Sequence, residues 1–395
     1  MIDDFSRAEL ARYARHFVLP DFGIEGQRRL KNSSVLVVGA GGLGCPMLLY
    51  LAAAGVGRIG IVDPDRVDDS NLQRQVLYTT ADVGKYKVEA AKERLLALNP
   101  HITIDTYPFG LTSANALKIM ELYDLVADGT DNFPTRYLVN DACVLQNKVN
   151  VYASIFRFEG QVSVFNFSKN DGERGVNYRD IFPTPPPPGL VPDCAEGGVL
   201  GVLPGIIGSM QASEVIKILS GVGEPLAGRL FIFDAADFTT RVLKLSKNPN
   251  YQPITELIDY DMFCGLKTEN TVENAQNTVE ERNPDNVGKG SFSEITVQDF
   301  QKWRTQNIDF QLIDVREGYE YEAANLGGTL IPLNNLAHNL DMISKEKPVV
   351  VHCKSGARSA KAIELLKSYG FTNLFNLKGG ILAYAKEIDA HLTVI

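Results

Sequence analysis

Apolar residues fall into short blocks whose period switches between strand and helix, and glycine or acidic clusters separate the blocks. Residues 34–38, Ser-Val-Leu-Val-Val, form an apolar run of strand length that stops in Gly39-Ala-Gly41-Gly42-Leu-Gly44. A helix follows, with Pro46 in its first turn and Gly55 at its end. A second strand, 58–62, ends at Asp63. Further along, the pattern predicts helix to Leu98 opened by Val83-Gly-Lys-Tyr-Lys87, strand 102–107, helix 114–123 and strand 125–127. That last strand ends in Asp128-Gly-Thr-Asp131-Asn132 and opens a helix over 134–146. Residues 9–17 are helix-like ahead of this series, and helix 206–219 and strand 230–234 come after it. Strands alternating with helices at this spacing predict an α/β fold with a doubly wound parallel sheet.

From Lys267 to Gly290 the pattern is lost: Glu, Asn, Thr and Lys dominate, aromatic residues are absent, and too little apolar surface is available for a core. This segment reads as a linker, and a flexible chain of that length spans roughly 27 Å. A second, smaller α/β unit follows, with helix 295–304, strand 311–316, strand 349–352 and helix 360–369. The expected organisation is a domain over 1–247, a segment over 248–290 ending in the linker, and a domain over 291–395. A chain of 395 residues exceeds what one core usually organises, which agrees.

Gly39, Gly41 and Gly44 match G-x-G-x-x-G between a strand and a helix, so backbone amides at a helix N-terminus can approach a phosphate. Asp63, nineteen residues past Gly44, stands where an acidic residue meets a ribose hydroxyl. The glycines alone also fit a tight turn, and they leave the nucleotide open. A dinucleotide enzyme would need an acid or base beside a hydride acceptor, and none is evident. Attack at the α-phosphate of ATP needs cationic clamps and a magnesium ligand; Arg74 and Lys87 can clamp, and Asp131 can hold Mg2+.

A net charge of −9 argues against nucleic acid or an anionic membrane as the main partner. The longest apolar stretches are too short and glycine-broken to span a bilayer, and no secretory signal is visible, so a cytoplasmic protein is expected. Five cysteines without framework spacing read as free thiols there. Cys143 reads as core, and Cys45 as packing or site. Cys194 follows four prolines on a loop and is the thiol most open to reaction, with a passive loop cysteine as the plain alternative. Cys353 ends a strand under Lys354-Ser-Gly-Ala-Arg358, where loop amides and Arg358 would stabilise a thiolate, while His352 points to the strand's other face.

Together these motifs resemble a known family. GAGGLG with Gly42, Asp63-x-Asp65, Ser70-Asn71-Leu-Gln-Arg74-Gln75, Val83-Gly-x-x-Lys87 and Asp128-Gly-Thr-Asp131-Asn132 are similar to the ThiF/MoeB (HesA/MoeB/ThiF) adenylyltransferases, whose fold is a Rossmann-like, ubiquitin-activating-type adenylation domain. The resemblance implies that Gly39, Gly41, Gly42, Gly44, Asp63, Asn71, Arg74, Gln75, Lys87, Asp131 and Asn132 bind ATP, with Mg2+ at Asp131. It implies that Arg15, in Arg12-Tyr-Ala-Arg15, enters the ATP site of a partner subunit in a homodimer. It places Cys194 on a loop crossing above the adenylate. Many relatives carry a zinc knot of two Cys-x-x-Cys pairs, before Phe-Pro and after Asn-Pro; residues 177–183 and 248–254 hold no cysteine, so no structural zinc is expected.

The C-terminal unit resembles a single-domain rhodanese through Asp314-Val-Arg-Glu317, Leu326-Gly-Gly328, the Cys353 loop and Leu377-Lys-Gly-Gly380. A related phosphatase would place five residues between cysteine and arginine, and here four intervene. Tyr384 stands where relatives often have tryptophan. The joined resemblance implies adenylation of the C-terminal Gly-Gly carboxylate of a ubiquitin-fold sulfur carrier protein, then sulfur transfer from a Cys353 persulfide to give a thiocarboxylate, as in molybdopterin, thiamine or related sulfur pathways. Thiosulfate or a cysteine desulfurase would load Cys353. The competing readings are a non-catalytic carrier-binding scaffold and a nicotinamide (NAD-dependent) dehydrogenase.

Overall fold

The computed structural model describes residues 4–167, 175–187, 198–266, 293–392 and 394. Two compact units result, Met1–Val279 and Glu280–Ile395.

The first unit holds one sheet of eight strands: β1 (Ser34–Val38), β2 (Arg58–Val62), β3 (Thr103–Tyr107), β4 (Leu125–Asp128), β5 (Val149–Phe156), β6 (Glu159–Phe165), β7 (Arg229–Asp234) and β8 (Thr239–Lys244). Their order is β3-β2-β1-β4-β5-β6-β7-β8. The five strands from β3 to β5 are parallel, and β6, β7 and β8 then add antiparallel. The parallel part follows the expected pattern; the antiparallel extension does not, because β5 turns straight back into β6.

Sidedness follows from the strand period of two. Val35 and Val37 pack with Leu48, Leu51 and Val88 on one face, while Leu36 and Val38 pack with Tyr123, Val126 and Tyr137 on the other. A strand buried on both faces must be apolar at every position, which is why β1 reads as an unbroken run. The strand order reverses at β1, between β2 and β4, and a crevice beyond the carboxyl ends of the strands opens there.

Several helices differ from the sequence reading. The N-terminal stretch is two helices, Arg7–Arg12 and Ala14–Phe17, broken at Tyr13, whose ring is buried and whose hydroxyl accepts from Asn99 Nδ2 at 2.8 Å. The helix expected over 114–123 is confined to Ala116–Met120. The late helix is longer than expected, Leu203–Ser220, because Pro204 fits its first turn.

In the second unit five parallel strands, β9 (Ser293–Ile295), β10 (Gln311–Asp314), β11 (Thr329–Leu330), β12 (Val349–His352) and β13 (Leu374–Leu377), are ordered β11-β10-β12-β13-β9. β12 is central and buried on both faces. The helix after the Cys353 loop starts at Ala357, three residues earlier than expected, so its N-terminus reaches into the loop. The linker stretch and Cys194 lie outside the described residues.

Candidate active sites

The first site is the crevice past β1. Gly39 has φ +92°, and the chain then doubles back so that a Cβ on Gly44 would lie 2.0 Å from the Gly39 carbonyl oxygen. Only glycine lets the helix Gly44–Ala54 start this close to the strand. Asp63 ties the turn down: one carboxylate oxygen accepts the Ala40 amide at 2.8 Å and the other accepts the Asp65 amide at 2.9 Å. Burial pushes this carboxyl above its ordinary range, opposed by the nearby Lys87 and by the two amides.

A cavity of about 900 Å³ opens here. Gly39, Gly41, Gly42, Asp63, Asn71 and Arg74 line it from the β1–β2 side, and Gln75 and Lys87 join them. Asp131 and Asn132 line it from the end of β4. Lys87 is almost wholly buried, and its Nζ donates to Asp65 at 2.8 Å. Arg74 donates to the Asn71 side-chain carbonyl at 2.8 Å, which holds the guanidinium at the rim. The Oε1 of Gln75 is buried without a hydrogen-bond partner, and its Nε2 lies 3.7 Å from where a Cβ on Gly41 would stand. Asp131 is exposed, a carboxylate presented to whatever enters. Asn132 accepts the Thr135 amide at 3.0 Å and so caps the helix Phe133–Leu145, a structural use the sequence reading did not foresee. Gly44 packs behind the turn and is not in the cavity wall. Arg15 is exposed on its short helix and does not line the cavity of its own chain.

Sequence reasoning missed two contributors. Arg136, buried in the first turn of the helix after Asp131, lines the cavity and donates to Thr130 O at 3.2 Å and Ser154 Oγ at 3.3 Å. Cys264 also lines the cavity, and burial pushes its thiol up to about 11. Cys45 and Cys143 are core residues with thiols raised by burial, Cys45 to about 12.

The second site is the Cys353 loop. Cys353 Sγ accepts the Gly356 amide at 3.2 Å and lies 3.5 Å from Ser359 Oγ. The loop is gripped from behind: the amides of Ile381 and Leu382 donate to the carbonyls of Cys353 and Lys354 at 2.9 and 3.1 Å. A Cβ on Gly380 would lie 2.4 Å from the Cys353 carbonyl oxygen, which accounts for the Gly379-Gly380 pair. Arg358 pairs with the buried Glu320, at 2.7 and 2.6 Å. His352 lies on the opposite face, with Nε2 at 3.6 Å from Asp314, which also holds Arg316.

The donor chemistry does not fit a zinc knot. The two stretches where its ligands would stand offer Asn177, Tyr178, Arg179, Asp180 and 248–254, without thiol or imidazole. Among the described residues no group of three His, Cys, Asp or Glu side chains converges on one point, and no helix is long and apolar enough to cross a membrane.

A glycine turn and charged cavity at a sheet's switch point, joined to a cysteine cradled by loop amides, define a two-part adenylation and sulfur-transfer protein class. The chain belongs to the ThiF family: residues 13–253 match that family, and residues 296–387 match the rhodanese-like domain. It is 47% identical over 392 residues to the probable adenylyltransferase/sulfurtransferase MoeZ of Mycobacterium tuberculosis strain H37Rv, covering 98% of this chain and 96% of that protein. It is 55% identical over 269 residues to the sulfur carrier protein adenylyltransferase of Thermus thermophilus, covering 67% of this chain and 99% of that protein. The crystal structure of E. coli MccB with MccA-N7isoASN shares the fold, with TM-score 0.54 at 23% identity over 62% of this chain and 74% of that one.

Proposed function

We propose that the chain adenylates the C-terminal Gly-Gly carboxylate of a ubiquitin-fold sulfur carrier with ATP, and then replaces AMP by sulfur carried on Cys353. The observation that supports this most is the convergence of Asp63, Arg74, Gln75, Lys87 and Asp131 on one cavity beside the glycine turn. Asp63 and Asn71 would hold the ribose end, with the turn amides and Arg74 on the phosphates. Lys87 would leave Asp65 for a phosphate oxygen, and Asp131 would hold Mg2+, which offsets charge building on the phosphates in the transition state. The carrier carboxylate attacks the α-phosphorus, pyrophosphate leaves, and an acyl adenylate results.

The Cys353 thiolate attacks the sulfane sulfur of thiosulfate, breaking its S–S bond and releasing sulfite, or that of a cysteine desulfurase persulfide, releasing the donor's cysteine thiolate, and so becomes a persulfide. The terminal sulfur attacks the acyl carbon, AMP leaves with the C–O electron pair, and carrier and Cys353 are joined by an acyl disulfide. Cys194 cleaves it by attack on the Cys353 sulfur, releasing the thiocarboxylate and leaving a disulfide that a thiol reductant reopens. Free thiols of this kind suit the cytoplasm. The unit would work as a homodimer in which Arg15 serves the partner's ATP.

ATP–pyrophosphate exchange against a panel of Gly-Gly carriers tests the reading. Exchange with at least one carrier is expected. No exchange with any carrier would favour the scaffold, and NADH binding without ATP binding would favour the dehydrogenase.

A further inference from the structure

Asp141, on the helix Phe133–Leu145, has a side chain almost wholly out of solvent and is held from three sides. Arg179 donates Nε to Oδ1 at 2.8 Å and Nη2 to Oδ2 at 2.6 Å, a forked pair. The Tyr260 hydroxyl donates to Oδ2 at 2.8 Å, and Asn140 Nδ2 donates to Oδ1 at 3.0 Å. The Arg179 guanidinium lies 4.5 Å from the centre of the Phe263 ring and 5.1 Å from that of Tyr137, a cation held between two aromatic faces. Next to it, Asp180 accepts the Asn248 amide at 2.8 Å.

These contacts join three stretches distant in sequence: the helix that begins just after Asp131, the turn at 177–182, and the returning segment from 248 to 266. The returning segment ends in Cys264 and Leu266, and both line the cavity that holds Asp63, Arg74, Lys87 and Asp131. A forked ion pair whose carboxylate is buried and bonded on both oxygens has one favoured geometry, which suits it to fixing register. Arg179 lies in the first of the two stretches where the resemblance implied zinc ligands, and Asp180 beside it is bonded to Asn248 in the second.

We infer that Arg179 is a positioning residue for the nucleotide cavity: through Asp141, Tyr260 and Phe263 it fixes residues 259–266 as a wall of that cavity. The inference rests on the cavity being the ATP site. Arg179 itself is absent from the cavity lining, so its effect must pass through the wall.

Iodoacetamide labelling of Cys264 in the full chain, followed by peptide mass spectrometry with and without MgATP, reads the wall directly. In the wild type, Cys264 should label slowly, and MgATP should slow it further. Arg179→Met should label about tenfold faster as the wall opens locally. The MgATP concentration for half protection should rise about fivefold, since fewer molecules hold the competent wall. Tyr260→Phe, which removes one hydrogen bond and keeps the fold, should move both readouts the same way by less, and it carries the test if Arg179→Met does not fold. A lowered melting temperature with unchanged labelling and unchanged half protection would make the clamp merely structural and overturn the inference. Wild-type Cys264 that MgATP fails to protect would contradict the nucleotide reading of the cavity, and the inference with it.

Discussion

Glu320 receives both arms of the Arg358 guanidinium, at 2.7 and 2.6 Å, while the same carboxylate accepts the Glu317 amide at 3.0 Å. The arginine expected to close the Cys353 loop is thus held by a partner on the helix Gly318–Ala323. Burial alone would raise the Glu320 carboxyl, but Arg358 and the Glu317 amide outweigh it and hold it below the usual range. Glu320→Gln should destabilise the C-terminal unit by about 2 kcal/mol at neutral pH. Because the folded carboxyl is depressed, that contribution exists above its unfolded value near 4.5 and fades as pH falls through the lower folded value. Urea unfolding followed by Trp303 checks this, since Trp303 is the chain's one tryptophan and lies in this unit. Equal stability of variant and wild type at pH 7 would contradict it.

His352 makes the opposite kind of titration. Its ring is fully buried with neither nitrogen hydrogen-bonded, and burial, against the attraction of Asp314, lowers it to about 4. The unfolded chain therefore binds a proton that the folded chain refuses. Stability of the unit is whole above pH 6.5 and should fall by about 1.4 kcal/mol per unit between 6.5 and 4. His352→Phe should flatten that slope in the same Trp303 measurement. An unchanged slope would mean the acid sensitivity lies elsewhere.

Adenylation should depend on Arg74, Lys87 and Asp131. Alanine at each should lower pyrophosphate exchange by on the order of a hundredfold or more, with the melting curve retained. Near-normal exchange in Asp131→Ala would overturn its assignment. Arg15 has a separate signature: Arg15→Ala mixed with Asp131→Ala should recover part of the activity, since one mixed site is then intact. No recovery would place Arg15 outside the partner's site.

Protein purified without added metal should contain less than one zinc per chain and still exchange pyrophosphate, because the ligand set is missing from both stretches. One tightly held zinc per chain by elemental analysis would refute this.

The parts of the site legible in the sequence are those where local chemistry is unambiguous. An apolar strand ending in glycines, an aspartate ending the next strand, and a cysteine before a glycine-containing loop each signal through neighbouring residues alone. The hairpin from β5 to β6 was not legible, because its turn is Arg157-Phe158, with Arg157 at φ +55°, rather than the glycine or asparagine such turns favour. Arg136, Cys264 and the Arg179 clamp were hidden for a different reason. Each acts through contacts between distant stretches, such as Tyr260 with Asp141, and no local period announces them. Asn132 has a second use that its motif did not announce: it lines the cavity and its side chain also caps a helix.

The central claim is that one chain activates a carrier and delivers sulfur to it through Cys353. Single-turnover reaction of Cys353→Ala with ATP, a Gly-Gly carrier and a persulfide donor, read by intact mass of carrier and enzyme, tests it most directly. The account predicts wild-type pyrophosphate exchange, an adenylated carrier, and no replacement of oxygen by sulfur at the carrier's terminus. Cys194→Ala run in parallel should instead accumulate a carrier–enzyme disulfide that reductant releases. Thiocarboxylate formed by Cys353→Ala at the wild-type rate from the same donor would contradict the account.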